Sequence, residues 1–532
     1  MPKKKVVIIG AGPAGLTAAY ELVRDGGAEE YEVTVLEATG VVGGISRTVE
    51  HNGNRMDMGG HRFFSKDDRV MDWWREVLPL QGAPSMDDKL LGRESELEPG
   101  GPDPEVTDDV MLVRHRVSRI YWNKRFFDYP VKLNLATLRA MGFVQAMRVG
   151  FSYLWSLVHK VDEEMLEGFY VNRFGRVLYS MFFESYTAKL WGRHPREISA
   201  AWGAQRVKGL SVAAVLKDAV GRIFGKKNAS GETSLIESFW YPKHGPGQLW
   251  ETVAARAQEA GAELVMGAEV VRVNRADGHL SSVVARMADG SERTFEGDFF
   301  LSTMPVKDLV QALDEGEATA SEPVPARMRQ IADGLPYRNF VTVGLLVDRL
   351  ELQNTTDIPT LGEPPMVPDC WIYVQDGSVK VGRIQIFNNW SPYLVADPEH
   401  SVWFSLEYFC GDDDELWHAT EDQMVELAVA ELRQMGILGE ATQVRDAHLE
   451  HVIKAYPAYF DTWNDIDELT AWLDGLGNLY CIGRNGQHRY NNMDHSMACA
   501  FEAVDNIRTG REDKANIWSV NTEQSYHEEK QA

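Results

Sequence analysis

The spacing of apolar positions changes several times along the chain, and each change marks a new element. Val6 to Ile9 is an unbroken apolar run, the pattern of a strand buried on both faces of a parallel sheet. It runs directly into Gly10-Ala-Gly-Pro-Ala-Gly15, after which Leu16 to Val23 continues with helix formers and Tyr31 to Glu37 reads as a second strand. Gln81 to Asp109 is rich in Asp, Glu, Pro and Gly without clear periodicity, which predicts a mobile surface loop. Met111 to Val113 and Arg119 to Pro130 predict a short hairpin. From Leu135 to about Phe224, Leu, Met, Phe and Trp recur at three and four residue steps, a helical pattern.

Strand patterns then return. Ala262 to Met266, Val270 to Val273, Leu280 to Arg286 and Arg293 to Phe295 predict a small sheet, and Asp298 to Met304 a further buried strand. Runs at Phe340–Val347, Trp371–Tyr373, Gly382–Asn388 and Val402–Phe409, with an amphipathic helix near Glu421–Met435, predict an antiparallel sheet. Leu479 to Arg484 closes with a strand and Asp494 to Ile507 with a helix. The implied class is α/β, with a Rossmann-type dinucleotide-binding domain assembled from residues 1–80, 232–305 and 476–515. To it are added an α-helical domain at 136–231 and an antiparallel β-sheet substrate domain at 111–135 and 306–475. Residues 81–110 form the acidic flexible loop and 516–532 the tail.

Composition narrows the function. A formal charge of −25 over 532 residues argues against a nucleic-acid or anionic-membrane partner, because either requires a basic surface. An anionic substrate would have to be met by a few local arginines. Cys370, Cys410, Cys481 and Cys499 lack metal-like spacing, so buried reduced thiols and no metal site are expected. The basic Met1 to Lys5 leads into a strand rather than a signal peptide, and no apolar run is long enough to span a bilayer, which points to a cytoplasmic protein.

The candidate chemistry begins at the first glycine turn. Gly10, Gly12 and Gly15 match G-x-G-x-x-G: a tight turn, close approach of backbone N–H groups to a pyrophosphate, and close helix–strand packing. Pro13 and Ala14 open the helix whose positive end would face the phosphates. Glu37 follows at about the 20-residue interval of a ribose-binding acid. A nicotinamide dehydrogenase would continue into an ordinary helix. Here Gly40 to Thr48, with Gly44 and Arg47, adds a second glycine-rich turn, and Asp57-Met-Gly59-Gly60-His61 follows. This order resembles the FAD-binding opening of the amine oxidase, protoporphyrinogen oxidase and UDP-galactopyranose mutase group, which implies FAD, with the glycine pair and His61 near the isoalloxazine.

Further motifs occur in the order found in UDP-galactopyranose mutase of the eukaryotic type: Phe127-Asp-Tyr-Pro130, Tyr186-Thr-Ala-Lys-Leu-Trp191, Ala201 to Arg206, Tyr241-Pro-Lys-His, Trp371-Ile-Tyr373, Arg383 to Pro392, and Arg489-Tyr490 followed by Asn492 to Ser496. The resemblance implies that N5 of reduced FAD attacks the anomeric carbon of a UDP-sugar, so that pyranose and furanose forms interconvert without net oxidation, NAD(P)H being one candidate reductant. It also implies that Arg206 and Arg383 hold the pyrophosphate, that Tyr373, Tyr456, Tyr490 and Asn492 touch the substrate, and that Arg484, Asp494, His495 and Ser496 touch the cofactor. Taken singly, Arg206 reads first as an exposed helix residue, Arg383 as a strand residue facing solvent or pairing with an acid, the tyrosines as core aromatics, and Asp494 or Ser496 as helix caps. The segment Arg484–Asp494 is shorter than its eukaryotic counterpart, which bears on the sugar. The alternative is a redox flavoenzyme of the same fold, an oxidase, dehydrogenase or desaturase, which would want an apolar or aromatic pocket.

Overall fold

The computed structural model describes residues 2–129, 137, 141–200, 238–316 and 323–520. At its centre lies a five-stranded parallel sheet in the order Leu479–Cys481, Phe299–Ser302, Lys4–Ile9, Tyr31–Glu37, Glu263–Met266. The unbroken run Val6–Ile9 is buried on both faces because its side chains alternate. Val6 and Ile8 meet the helices Pro13–Val23, Pro246–Glu259 and Met493–Thr509. Val7 and Ile9 meet a three-stranded antiparallel sheet, Ala268–Ala276, His279–Met287 and Glu292–Glu296, and the helix Val306–Glu315. The apolar pattern assigns Ala262–Met266 to that small sheet, yet Glu263–Met266 pairs in parallel with Tyr31–Glu37. A short apolar run fits either sheet, and the preceding helix, which crosses back over the parallel sheet, decides between them.

A seven-stranded sheet forms the second layer: Val444–Pro457, Tyr337–Val347, Val402–Cys410, Arg383–Ile386, Trp371–Val374, Ser118–Trp122 and Arg125–Asp128. It is antiparallel except where Trp371–Val374 lies parallel to Ser118–Trp122, a departure from the purely antiparallel sheet expected. The hairpin foreseen near residue 120 is therefore made by its last two strands, while Met111–His115 pairs with Ser238–Pro242. One face is covered by the capped helix Glu421–Met435. The other packs aromatic and aliphatic side chains of the helices Leu166–Phe174 and Ser185–Trp191.

The acidic segment 81–110 differs from the mobile loop its composition suggests. It contains the helix Met86–Leu91, and Asp87 is buried with Arg114 at 2.7 Å and with Arg93. Lys243 clamps the segment through Pro104 O at 2.7 Å and the Asp108 carboxylate at 2.6 Å. Asp87 looks solvated in sequence because its buried counter-ion Arg114 lies beyond the segment, on the strand Met111–His115. All four cysteines are buried and free. Among the described residues no helix is long and apolar enough to cross a membrane, and no cluster of His, Cys, Asp or Glu is arranged to hold a metal.

Candidate active site

A cavity of about 1520 Å³ runs from the carboxyl end of the parallel sheet to the seven-stranded sheet. Three glycines show why its first wall has the sequence it has. A Cβ on Gly10, whose φ is +100°, would lie 2.1 Å from Oγ1 of Thr303, and one on Gly15 would lie 1.9 Å from the carbonyl oxygen of Gly10. Gly12 is backed by Gly44 of the second glycine turn, and the two turns are joined by a hydrogen bond from Gly43 N to Ala11 O at 2.8 Å. Glu37 accepts from Ala11 N at 2.8 Å and Thr39 N at 2.9 Å, so its carboxylate fixes the turn while still lining the cavity.

The same space is met by the start of helix Met493–Thr509. Asn492 and His495 form its capping box, Ser496 donates to Asn492 O at 3.1 Å, and Asp494 accepts from Ser65 Oγ at 2.9 Å. Two helix starts thus face one cavity, an arrangement suited to the negative charge of a pyrophosphate. The backbone cradle, the ribose-side carboxylate and the two helix starts fit a flavin dinucleotide.

Toward the seven-stranded sheet, register alone builds a row across adjacent strands: Tyr373 lies opposite Arg383, Arg383 opposite Glu407. Arg383 is buried. Its Nη1 donates to Glu407 Oε2 at 3.1 Å and to the Tyr456 hydroxyl at 2.8 Å, and its Nε donates to the Tyr186 hydroxyl. Trp371 and Phe409 enclose the guanidinium, with ring centroids 5.0 and 4.9 Å from Cζ. Burial works against the charge, but the oxygens of Tyr186 and Tyr456 and the Glu407 carboxylate outweigh it and hold the Arg383 pKa well above its ordinary value. Nη2 makes no hydrogen bond among the described residues, and Arg383 lines the cavity. Burial lifts the carboxyl of Glu407, against the pull of Arg383 and Gln385.

Arg484 is the second guanidinium. It donates to Ala455 O at 2.8 Å and Asn491 O at 3.0 Å, and lies 4.1 Å from the Tyr490 ring centroid. Tyr456 and Tyr490 are stacked at 5.7 Å, and Arg383 and Arg484 approach the Tyr456 ring to 5.6 and 5.2 Å. His61, after the glycine pair, donates from Nε2 to Met58 O at 3.1 Å. Burial first, and the Arg484 charge in addition, lower its pKa to about 4, so it is neutral at neutral pH. Gly60 is also a packing position, since a Cβ there would meet Trp371 Cζ3 at 1.6 Å.

Of the residues singled out in the sequence, Gly10, Gly12, Pro13, Ala14, Glu37, Gly44, Gly59, Gly60, His61, Tyr373, Arg383, Tyr456, Arg484, Tyr490, Asn492, Asp494, His495 and Ser496 line this one cavity. Gly15 lies beneath the turn. Arg47 is turned away, to Gly44 O and to Glu450 at 3.4 Å. Arg206 lies outside the described residues. Glu407, Trp371 and Tyr186 were not foreseen as site residues. A carboxylate in the otherwise unbroken buried strand Val402–Cys410 was the available signal for Glu407, since such a group needs a partner.

A family model for flavin-containing amine oxidoreductases matches residues 13–490. Among curated proteins, zeta-carotene desaturase from Solanum lycopersicum is 44% identical over 64 residues, covering 12% of this chain and 10% of that one. L-amino-acid oxidase from Crotalus adamanteus is 33% identical over 129 residues, covering 24% and 21%. These alignments span only a small part of each relative. Among solved structures, reduced UDP-galactopyranose mutase superposes with a TM-score of 0.73 at 20% identity over 97% of both chains, a likeness of fold. With the family model running from the first glycine turn to Tyr490, and a cradle that fits its cofactor, the chain belongs to the flavin-containing amine oxidoreductase family.

Proposed function

We propose that the protein is a flavin-dependent nucleotide-sugar mutase that interconverts pyranose and furanose forms of a UDP-sugar resembling UDP-galactose. When bound, reduced FAD supplies the nucleophile for the anomeric carbon. The observation that carries the reading is that Arg383 and Arg484 both approach the Tyr456–Tyr490 pair, at 5.6 and 5.2 Å from the Tyr456 ring centroid, and both line the cavity. Guanidinium groups stay charged and donate to phosphate oxygens, so Nη2 of Arg383, which makes no hydrogen bond among the described residues, with the Arg484 charge close by, is suited to hold a departing diphosphate within reach of the sugar. Arg206 is proposed to join them from outside the described residues.

The remaining groups at this end hold and shield. Tyr186 and Tyr456 accept hydrogen bonds from Arg383, which leaves each hydroxyl proton to donate to a substrate oxygen. Burial raises both phenols, so they act as neutral donors rather than bases. Neutral His61 fixes the backbone beside the flavin through Met58. Arg383, Tyr186, Tyr456 and His61 therefore each keep one protonation state near pH 7, as befits a reaction in which the cofactor is the nucleophile. An ammonium substrate would meet the Arg383 charge inside the aromatic enclosure, which weighs against amine oxidation. The redox reading retains support from that enclosure, formed by Trp371, Phe409, Tyr456 and Tyr186.

The test is to offer UDP-galactopyranose to the flavin-loaded enzyme and follow the furanose form by chromatography. Activity is expected after reduction with dithionite or NAD(P)H, without stoichiometric consumption of reductant, and not in the air-oxidised protein. Steady reductant consumption or peroxide release without isomerisation would replace this reading with the redox one.

A further inference from the structure

Of the sixteen large apolar side chains exposed among the described residues, ten fall within 143–165, centred on one helix, Phe143–Val158. The inner face of this helix is firmly seated. Val149, Tyr153 and Ser156 are buried, Ser152 accepts from Val177 N at 3.1 Å, and the backbone at Tyr153 lies so close to Gly175 that a Cβ there would meet it at 2.8 Å. Among the described residues the outer face has no such cover: Phe151 and Trp155 are each 65% exposed and Val158 78%.

We infer that this outer face is an interface with a second copy of the same chain. Four observations favour that occupant. The first is spacing: Val144, Met147, Phe151, Leu154 and Val158 alternate steps of three and four, the seam of one helix packed along another at a shallow angle. The second is Gly150, which lies exposed on this face with open space where its side chain would be. Glycine in a helix interior is destabilising relative to alanine, and here it provides a point of close backbone approach for a crossing helix.

The third is charge. In a chain with 79 acidic and 54 basic side chains, the helix carries one charged residue, Arg148. A lipid surface would call for a collar of Lys and Arg beside the apolar stripe, and a basic partner would call for carboxylates. An uncharged stripe is complementary to itself, as a two-fold interface requires. The fourth is area. Ten side chains, each exposing roughly half to four-fifths of about 150 to 200 Å², present on the order of 900 Å², close to the ~800 Å² per partner of a standard stable interface.

The experiment is sedimentation velocity on the flavin-loaded protein across micromolar concentrations, for the wild type and for Phe151→Glu/Leu154→Glu. Both positions are exposed, so the variant should keep its flavin absorbance and melting temperature. A dimeric wild type and a monomeric variant are expected. Gly150→Cys adds a second readout: a two-fold crossing at this point brings the thiol against its own copy, and the four native cysteines are buried. Mild oxidation should then give a covalent dimer. A monomeric wild type, a double variant that stays dimeric, or a dimer that Gly150→Cys fails to cross-link overturns the assignment. So does flotation of wild-type protein with phosphatidylcholine vesicles that the double variant loses, because the occupant would then be lipid.

Discussion

Replacing Glu407 tests the anion site more sharply than replacing Arg383. The two face each other at 3.1 Å, and Glu407 is fully buried, so Arg383→Met alone leaves a carboxylate without its counter-ion. Breaking a buried pair in that way costs roughly 3 to 5 kcal/mol of stability. Loss of UDP affinity could then reflect local disorder. Glu407→Gln instead keeps the shape and the acceptor for Arg383 and removes only the opposing charge. For a diphosphate about 7 Å from that carboxylate, with an effective dielectric near 20, one charge contributes on the order of 2 kcal/mol. UDP should therefore bind about 30-fold tighter to Glu407→Gln. The double variant Arg383→Met/Glu407→Gln should recover most of the stability lost in Arg383→Met yet bind UDP weaker than wild type by about 2 to 5 kcal/mol. Isothermal titration with UDP on flavin-loaded protein, beside urea denaturation of the same samples, separates the two effects. Weaker binding to Glu407→Gln, or unchanged binding to the double variant, would refute the placement of a diphosphate at Arg383.

Three further outcomes follow from the packing and titration of the cradle. Gly60→Ala places a methyl group against the Trp371 indole and should cost about 1 to 3 kcal/mol and weaken flavin retention, with part of the loss recovered by Trp371→Leu; additive effects would contradict the contact. Burial lifts the Asp57 pKa to about 7, against its bonds from Tyr241 and Thr48. This group thus contributes stability that is complete below pH 4 and lost as pH rises to 7, about 4 kcal/mol in all. Asp57→Asn should gain on wild type by that amount between those limits in urea titrations, and a flat difference would exclude the shift. His61 has the opposite sign: with a folded pKa near 4, its contribution is complete above pH 6.5 and lost as pH falls toward 4, about 3 kcal/mol. His61→Asn should therefore remove part of the acid destabilisation, and an NMR titration of His61 with a midpoint near 6.5 would disprove it.

The glycine cradle was legible in the sequence because its demands are local. Gly10, Gly12 and Gly15 answer to a turn and a close approach within one strand–turn–helix unit. Arg383 was legible only through the order of motifs, because an arginine in a four-residue strand carries no signal of its own. What stayed hidden depends on distant partners. Gly60 reads as a cofactor glycine, and only the fold shows that Trp371 fills its space. Asp87 reads as a solvated acid until Arg114 is brought to it, and Ala262–Met266 reads as a strand without revealing which sheet it joins.

The strand order of the central sheet also sets a timetable for synthesis. Lys4–Ile9 emerges from the ribosome early, but one of its two neighbours, Phe299–Ser302, is made only after more than half the chain, and that strand in turn waits for Leu479–Cys481. Until then the nascent N-terminal segment carries an unpaired strand edge whose last four residues, Val6 to Ile9, are apolar, the kind of surface that recruits chaperones. Because the cradle is closed by Arg484 and the residues around Asn492, cofactor loading waits until those residues have been made, and a flavin-starved cell should accumulate apoprotein extending past them rather than arrested fragments.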